Sequence, residues 1–228
     1  MKHAGKARQA GLKILLWTLL FLACLFVGGF LAVAVGSIIT AGATTLVVLW
    51  GLFALFVLNF FRDPNPRTPR DPEAIVAPAH GKVDVIDETA EPEFMGGPCR
   101  RVSIFLSVMD VHIQYAPAAG EIGFLRHYPG QFLNAMRSDC GMHNENVLYG
   151  LESASLPGGK AAVRLIAGLL ARRIVPWVAV GDRVEKGERT SLIQFGSRVD
   201  IYLPLGTRIA VELGQRVKGG ETVIATCN

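Results

Sequence analysis

The chain has 228 residues, half of them hydrophobic, and a formal charge of +4 from 23 Lys and Arg against 19 Asp and Glu. That length allows one substantial domain plus an appendage, and a positive mean hydropathy of +0.36 argues that the appendage is apolar. The basic excess lies in residues 1–70, which carry seven Lys or Arg against the single acid Asp63; the remainder is slightly acidic and has no basic stripe interleaved with aromatics, so nucleic acid is not an expected partner. Cys24, Cys99, Cys140 and Cys227 show no paired ligand spacing, which excludes a disulfide framework or zinc site as the organising feature; no metal is expected, and free thiols suit a reducing compartment.

From Ile14 to Phe61 there is no charged residue. The run is far too long for the apolar region of a signal peptide. A helix needs roughly 20 apolar residues to cross a bilayer, so two crossings fit, about 14–35 and 40–61, with a turn near Gly36-Ser37 and Ala41-Gly42. One long tilted helix would overshoot the bilayer. Lys2, Lys6, Arg8 and Lys13 precede the first span and Arg62, Arg67 and Arg70 follow the second. The positive-inside tendency puts both flanks in the cytoplasm, where they favour anionic head groups. Residues 62–74 hold four prolines between Pro64 and Pro72, which forbids a regular helix and predicts an extended tether.

Beyond it, residues 75–228 read as mainly β. A turn and alternating strand cover Ile75 to Asp87; a second strand, Arg101 to Ser107, leads into Met109 to Pro117. Only short helices fit, around Gln131 to Ser138. Val180-Gly181-Asp182-Arg183-Val184-Glu185-Lys186-Gly187-Glu188 is echoed by Leu213-Gly214-Gln215-Arg216-Val217-Lys218-Gly219-Gly220-Glu221, a glycine-turn pair of the kind found in barrel-sandwich carrier domains. The echo is of turn geometry, without a carrier lysine, and reads as structural.

Leu192 to Pro204 alternates like a half-buried strand, interrupted by Gly196-Ser197. Taken alone, the interruption reads as a bulge. The sharper alternative, which only the rest of the chain can decide, is a bond that Ser197 breaks by attacking the carbonyl before it. A serine needs a base within hydrogen-bonding reach, and histidine is the side chain best tuned for that near neutral pH. His80, His112, His127 and His143 are available. His80 and His112 stand beside turns at strand ends, where site residues concentrate.

Several pieces then occur in an order that resembles the phosphatidylserine decarboxylases, most closely their short form. They are Ala77-Pro78-Ala79-His80-Gly81-Lys82-Val83, Asp110-Val111-His112 with Ala116-Pro117, Tyr128-Pro129-Gly130-Gln131-Phe132, Asn144-Glu145-Asn146, Ala171-Arg172-Arg173-Ile174 and Phe195-Gly196-Ser197-Arg198-Val199-Asp200. The resemblance implies self-cleavage between Gly196 and Ser197 into a β chain (1–196) and an associated α chain (197–228), with Ser197 converted to a covalent pyruvoyl cofactor (pyruvate). It implies that this ketone forms a Schiff base with phosphatidylserine and acts as an electron sink while carbon dioxide leaves, giving phosphatidylethanolamine. His112 is then the expected proton-transfer residue. The chain departs from the family at His80, where an aspartate is usual, and at Tyr115, where longer forms have a second histidine; His80 is expected to act directly as the base for Ser197. Arg137, Arg172 and Arg173 are candidates for the lipid phosphate, with Asn144 and Glu145 lining the same pocket.

The expected protein is therefore a mainly β, barrel-sandwich-like (α+β) domain behind a transmembrane helical hairpin, on the cytoplasmic side of the inner membrane, and compatible with a homo-oligomer. Two other readings predict different behaviour. A non-enzymatic membrane-tethered adaptor would not be cut, and a pyruvoyl decarboxylase for another amino acid or a related phospholipid would not release carbon dioxide from phosphatidylserine.

Overall fold

The charge-free run folds as two helices in the computed structural model, which describes residues 5–31, 37–133, 143–168, 173–194 and 197–227, with the backbone alone at 31, 37–39 and 197. Helix α1 spans Lys6–Leu31 and α2 spans Ser37–Phe60. The first starts earlier than the apolar run because Lys6, Arg8, Gln9 and their neighbours are good helix formers in their own right. The two helices run antiparallel: Trp50 Nε1 donates to Thr18 Oγ1 at 2.9 Å. At the far end of α2, Arg62 Nη1 donates to the Asn59 carbonyl at 2.6 Å, serving one of the carbonyls a helix end leaves open. Large apolar side chains such as Leu16, Trp17, Phe21 and Phe30 point outward. Both helices are long and apolar enough to cross a membrane, an arrangement compatible with membrane association.

Pro64–Asn228 forms a second compact unit. Its strands are β1 (Ala74–Val76), β2 (Gly81–Glu91), β3 (Gly97–Leu106), β4 (Ile113–Tyr115), β5 (Gly120–Tyr128), β6 (Asn146–Glu152), β7 (Lys160–Ala167), β8 (Arg173–Pro176), β9 (Arg183–Val184), β10 (Arg189–Gln194), β11 (Ser197–Leu203), β12 (Arg208–Ile209), β13 (Arg216–Val217) and β14 (Val223–Thr226). They make an eight-stranded sheet in the order β13-β2-β3-β11-β7-β6-β5-β9 and two three-stranded sheets, β4-β10-β8 and β1-β14-β12. The expectation of a mainly β unit holds. Alternation decides which face is buried: Val199, Ile201 and Leu203 of β11 join Val102, Ile104 and Leu106 of β3 and Val163 and Leu165 of β7 in the main core. Arg198, Asp200 and Tyr202 take the other face.

The echo noted in the sequence is a pair of matching edges. In one copy Gly181 N donates to Ile122 O and Ile122 N donates to Asp182 O; in the other Gly214 N donates to Val83 O and Val83 N donates to Gln215 O. Gly181 and Gly214 have φ of 92° and 86°, a left-handed conformation open to glycine at little cost. The two-residue strands β9 and β13 that follow pair with β5 and β2 and so close opposite ends of the large sheet.

Gly196-Ser197 is not a bulge within one strand. β10 ends at Gln194 between β4 and β8, whereas β11 begins at Ser197 between β3 and β7. The apolar alternation continues across the interruption because each strand buries a face of its own, but the partners change completely. The interruption is a crossing from one sheet to another.

The proline-rich segment is extended, as expected, yet it is not a loose linker. Arg189, 1% exposed, donates from Nη2 to Pro64 O at 3.2 Å and to Asn65 Oδ1 at 2.9 Å. Arg67 N donates to Glu221 Oε1, and Lys186 Nζ donates to the carbonyls of Asp71 and Ala74. Prolines lack the N–H needed for a ladder, so side chains from the β unit satisfy the carbonyls instead. Removing the Arg189 guanidinium would take the charged donor from both hydrogen bonds, a loss of about 1–3 kcal/mol. Arg189→Met is therefore expected to lower the melting temperature and to speed tryptic cutting after Arg67 and Arg70, read by limited proteolysis; unchanged cutting would mean the segment is held by something else.

Candidate active site

Two connections cross between sheets side by side. β3 pairs with β11 and β4 pairs with β10, both antiparallel. The loop from Leu106 to Ile113 therefore leads from the sheet that holds Ser197 to the sheet that holds Gln194. Ser197 pairs with Leu106 on one side and Ala167 on the other; Ile193 N donates to the His112 carbonyl at 3.1 Å. Gly196 and Phe195 lie outside the described residues. The backbone of Ser197 is fixed as the first residue of a central strand.

Pairing places most of the sequence-derived pieces in one row at this end of the large sheet. Lys82 pairs with Phe105, one residue before the partner of Ser197, so residue 81 stands two strands, ~10 Å, from residue 197. On the other side Ala167 N donates to Glu145 O, and Tyr128 pairs with Asn146. His80-Gly81, Leu106-Ser107, Ser197, Ala167, Glu145 and Pro129 thus succeed one another across the strands.

His112 is fully buried. Its Nδ1 lies 2.9 Å from the Asp110 carbonyl; a carbonyl only accepts, so Nδ1 carries the hydrogen and Nε2 is the basic nitrogen. The loop that holds it is tied at several points. Asp110 Oδ2 accepts from Ser107 N at 2.8 Å and Ser107 Oγ at 2.7 Å, and Oδ1 lies 3.2 Å from Arg216 Nη1. The His112 carbonyl accepts from Gln114 Nε2 at 2.7 Å, while Gln114 Oε1 accepts from Ser191 Oγ of β10 at 2.8 Å. The buried Gln114 and Ser191 thus fix His112 to the strand that leads to Gly196. Alternation alone did not distinguish them from ordinary strand residues; only the pairing of β4 with β10 brings them together.

His80 packs edge-on against Tyr115, with ring centroids 5.7 Å apart and an interplanar angle of 64°. The two positions at which the chain departs from the family pattern therefore touch each other. Tyr115 N also donates to Pro78 O at 2.8 Å, holding the His80 turn to β4.

Asn144, 1% exposed, accepts from Leu133 N and donates to Leu133 O and Ala167 O, all within 2.8 Å. Its amide is committed to backbone, and it fixes the strand beside Ser197. Gly130 allows this: a Cβ there would lie 2.5 Å from the Asn144 carbonyl carbon and the Glu145 nitrogen. Glu145 faces His127, Oε1 to Nε2 at 3.2 Å. Arg173 is exposed and pairs with Gln194, two residues before Gly196; Arg137 and Arg172 lie outside the described residues. Sequence reasoning missed the polar face behind this row, where Arg101, Arg164, Asp200, Tyr128 and Tyr202 line a cleft of about 530 Å³. The signal was present in β11, where Arg198, Asp200 and Tyr202 alternate with Val199, Ile201 and Leu203.

The structure thus sets a pinned, buried histidine one hydrogen bond from the strand that ends at Gln194, with Ser197 opening the next strand. Comparison with known proteins is more specific. Residues 53–225 match the phosphatidylserine decarboxylase family. The chain is 46% identical to a phosphatidylserine decarboxylase proenzyme of Symbiobacterium thermophilum, over 83% of this chain and 90% of that one. It is 39% identical to one of Desulfotalea psychrophila, over 86% and 92%, and 45% identical to one of Erythrobacter litoralis, over 86% and 83%. The chain belongs to the phosphatidylserine decarboxylase family.

Removing the Asn144 side chain should leave Ala167 O, which is buried, and the half-buried Leu133 N and O without this partner, and cost ~1–3 kcal/mol. Asn144→Ala is expected to lower the melting temperature by several degrees, whereas a substitution at the exposed Arg183 should leave it within a degree or so. Equal effects from the two would remove Asn144 from the support of the row.

Proposed function

We propose that the protein is a phosphatidylserine decarboxylase that breaks its own Gly196-Ser197 bond, converts Ser197 to a pyruvoyl group and releases carbon dioxide from phosphatidylserine to give phosphatidylethanolamine. The observation that carries this reading is the change of sheet between Gln194 and Ser197, with the His112 carbonyl bonded to Ile193 of the strand that ends there. The fit to a pyruvoyl group rests on how the downstream piece is held. Residues 197–203 lie between β3 and β7, β13 pairs with β2, and β14 lies between β1 and β12. A cut before Ser197 would leave the 197–228 piece held at three places, with its new N-terminus in the middle of the sheet. The pyruvoyl carbonyl would supply an electron sink for the departing carboxylate.

The chain's own residues divide the remaining work. In self-cleavage the Ser197 oxygen bonds to the Gly196 carbonyl carbon as the bond from that carbon to the Ser197 nitrogen breaks, the hydroxyl proton passing through a base to the freed amine. β-Elimination of the resulting ester then releases the Gly196 carboxylate and leaves a dehydroalanine, which water hydrolyses to the ketone with loss of ammonia. His80 is assigned the role of that base: two strands separate the backbones of residues 81 and 197, a span an imidazole can work across directly or through one water. In decarboxylation His112 is assigned proton transfer through Nε2, because Nδ1 is held by the Asp110 carbonyl. Arg173, with Arg137 and Arg172, is assigned to the lipid phosphate through paired guanidinium donors, and Glu145 to the pocket wall. Asn144 positions backbone. The helices would anchor this unit on the cytoplasmic face of the inner membrane, where the substrate resides, by the bias of their basic flanks.

Carbon dioxide release from phosphatidylserine in mixed micelles, against free serine as control, tests the assignment. Release is expected from the lipid and not from serine, and Ser197→Ala should abolish it. His112→Ala should still split but lose about a hundredfold or more of the rate, the scale of one general acid–base group. His80→Ala should remain a single chain; normal splitting would remove it from the mechanism.

A further inference from the structure

A cut between Gly196 and Ser197 would leave residues 1–196 and 197–228 joined by non-covalent contacts alone. The ladders of β11, β13 and β14 supply one set of these. Among the described residues, two ion pairs also run from one piece to the other. Arg216 Nη1 lies 3.2 Å from Asp110 Oδ1, but the arginine side chain is 73% exposed, and exposed pairs contribute little. Arg198 Nη2 donates to Asp84 Oδ2, and here the arginine is buried, with 3% of its surface exposed.

The buried pair spans three strands. Phe105 of β3 pairs with Lys82 of β2 on one side and with Arg198 of β11 on the other, so the guanidinium reaches a carboxylate on the next strand but one. Asp84 stands where the register of β2 shifts, between Val83 and Val85, and a bulge of this kind re-aims a side chain. The Arg101–Asp87 pair, by contrast, joins residues directly opposite each other on β3 and β2. Both of its partners belong to the 1–196 piece, and no cut would part them. Arg198 directly follows the residue that a cut would make a chain end. While the chain is whole, residue 197 is bonded through Phe195 and Gly196 to the strand that ends at Gln194. Once the bond breaks, that tie is gone, and chain ends fray. The backbone of residue 197 still pairs with Leu106 and Ala167. Arg198 is then the next anchor, because drawing the end out of the sheet takes a buried guanidinium from its carboxylate, and breaking a buried pair is strongly destabilising.

We propose that Arg198, through its ion pair with Asp84, is the positioning residue that keeps the pyruvoyl group at position 197 in place once the chain is cut. This assignment rests on the decarboxylase reading above. The pair acts through the backbone it secures, not by contact with substrate. The bond is broken while residue 197 is still tied to both chain neighbours, so splitting needs the pair less than turnover does. Misplacing a reacting group by about 1 Å can cost about a hundredfold in rate. An effect confined to the reacting group falls on kcat and leaves KM.

Arg198→Met and Asp84→Asn, made in the full-length protein in detergent, test the pair by two readouts. Denatured intact mass gives the fraction of chains cut. Carbon dioxide release from phosphatidylserine in mixed micelles gives KM and kcat per cut chain. Both variants are expected to be cut to the wild-type extent and to turn over about tenfold or more slowly per cut chain, with KM within about twofold of wild type. Arg198→Lys keeps the charge and should recover part of the rate. The double variant should be no slower than Arg198→Met alone, because both changes remove one contact. Arg183→Met, at an exposed pair on β9, should match wild type. If Arg198→Met does not fold, Asp84→Asn decides, since asparagine fills the same space and still accepts a hydrogen bond. Full turnover per cut chain in both charge variants, slowing that adds in the double variant, or a block in splitting overturns the assignment. A wild type that is never cut overturns the decarboxylase reading and this with it; a cut wild type with unimpaired variants overturns the role of the pair alone.

Discussion

Strand pairing fixes both ends of a two-residue gap. Gln194 belongs to one sheet and Ser197 to another, and each is held by partners on both sides. Nearly everything at this end of the protein serves that constraint: Asn144 secures the strand next to Ser197, Gln114 and Ser191 tie β4 to β10, and Asp110 and Ser107 hold the parallel crossing that carries His112. A protein that breaks its own backbone needs the bond presented in one geometry, and it needs the pieces to stay together afterwards. The same antiparallel ladder supplies both.

The membrane-proximal segment joins this scheme. It is held by Arg189, the first residue of the strand that ends at the crossing, and by Lys186 just before it. Tyr115, whose ring meets His80, also directs its hydroxyl to the Pro64 carbonyl at 3.5 Å. The segment that follows the second apolar helix is therefore packed on the strands that carry the proposed base and the candidate bond. A fully buried arginine is costly unless its donors are satisfied, and here the carbonyls of a proline-rich stretch satisfy it.

Much of the fold was legible because its signals are local. An uncharged run of helical length gives α1 and α2, alternation gives the strands, and the repeated glycine pattern gives the matching edges at β9 and β13. The described family pieces fall together at one end of the sheet. Partner choice was not legible. Gly196-Ser197 looked like a bulge because alternation is the same whether a strand continues in its sheet or enters another. The proline-rich stretch looked like a linker because nothing local shows that Arg189, more than a hundred residues later, donates to it. Asn144 looked like a pocket residue and does line the cleft behind the row, but nothing local showed that its amide also holds Leu133 and Ala167. The cleft around Asp200 and Arg164 assembles from strands far apart in sequence, and its polar residues look like a solvated face until pairing buries them.

The central claim is that the bond at the sheet crossing breaks and that the sheet keeps the two pieces together. Intact-mass measurement of the purified wild-type protein, first native and then denatured, tests it most directly. The account predicts one native species that separates on denaturation into a 1–196 chain and a 197–228 chain, the latter about 17 Da lighter than a serine-ended peptide because ammonia is lost in forming the ketone. A single uncut 228-residue chain, or a cut at another bond, would contradict it.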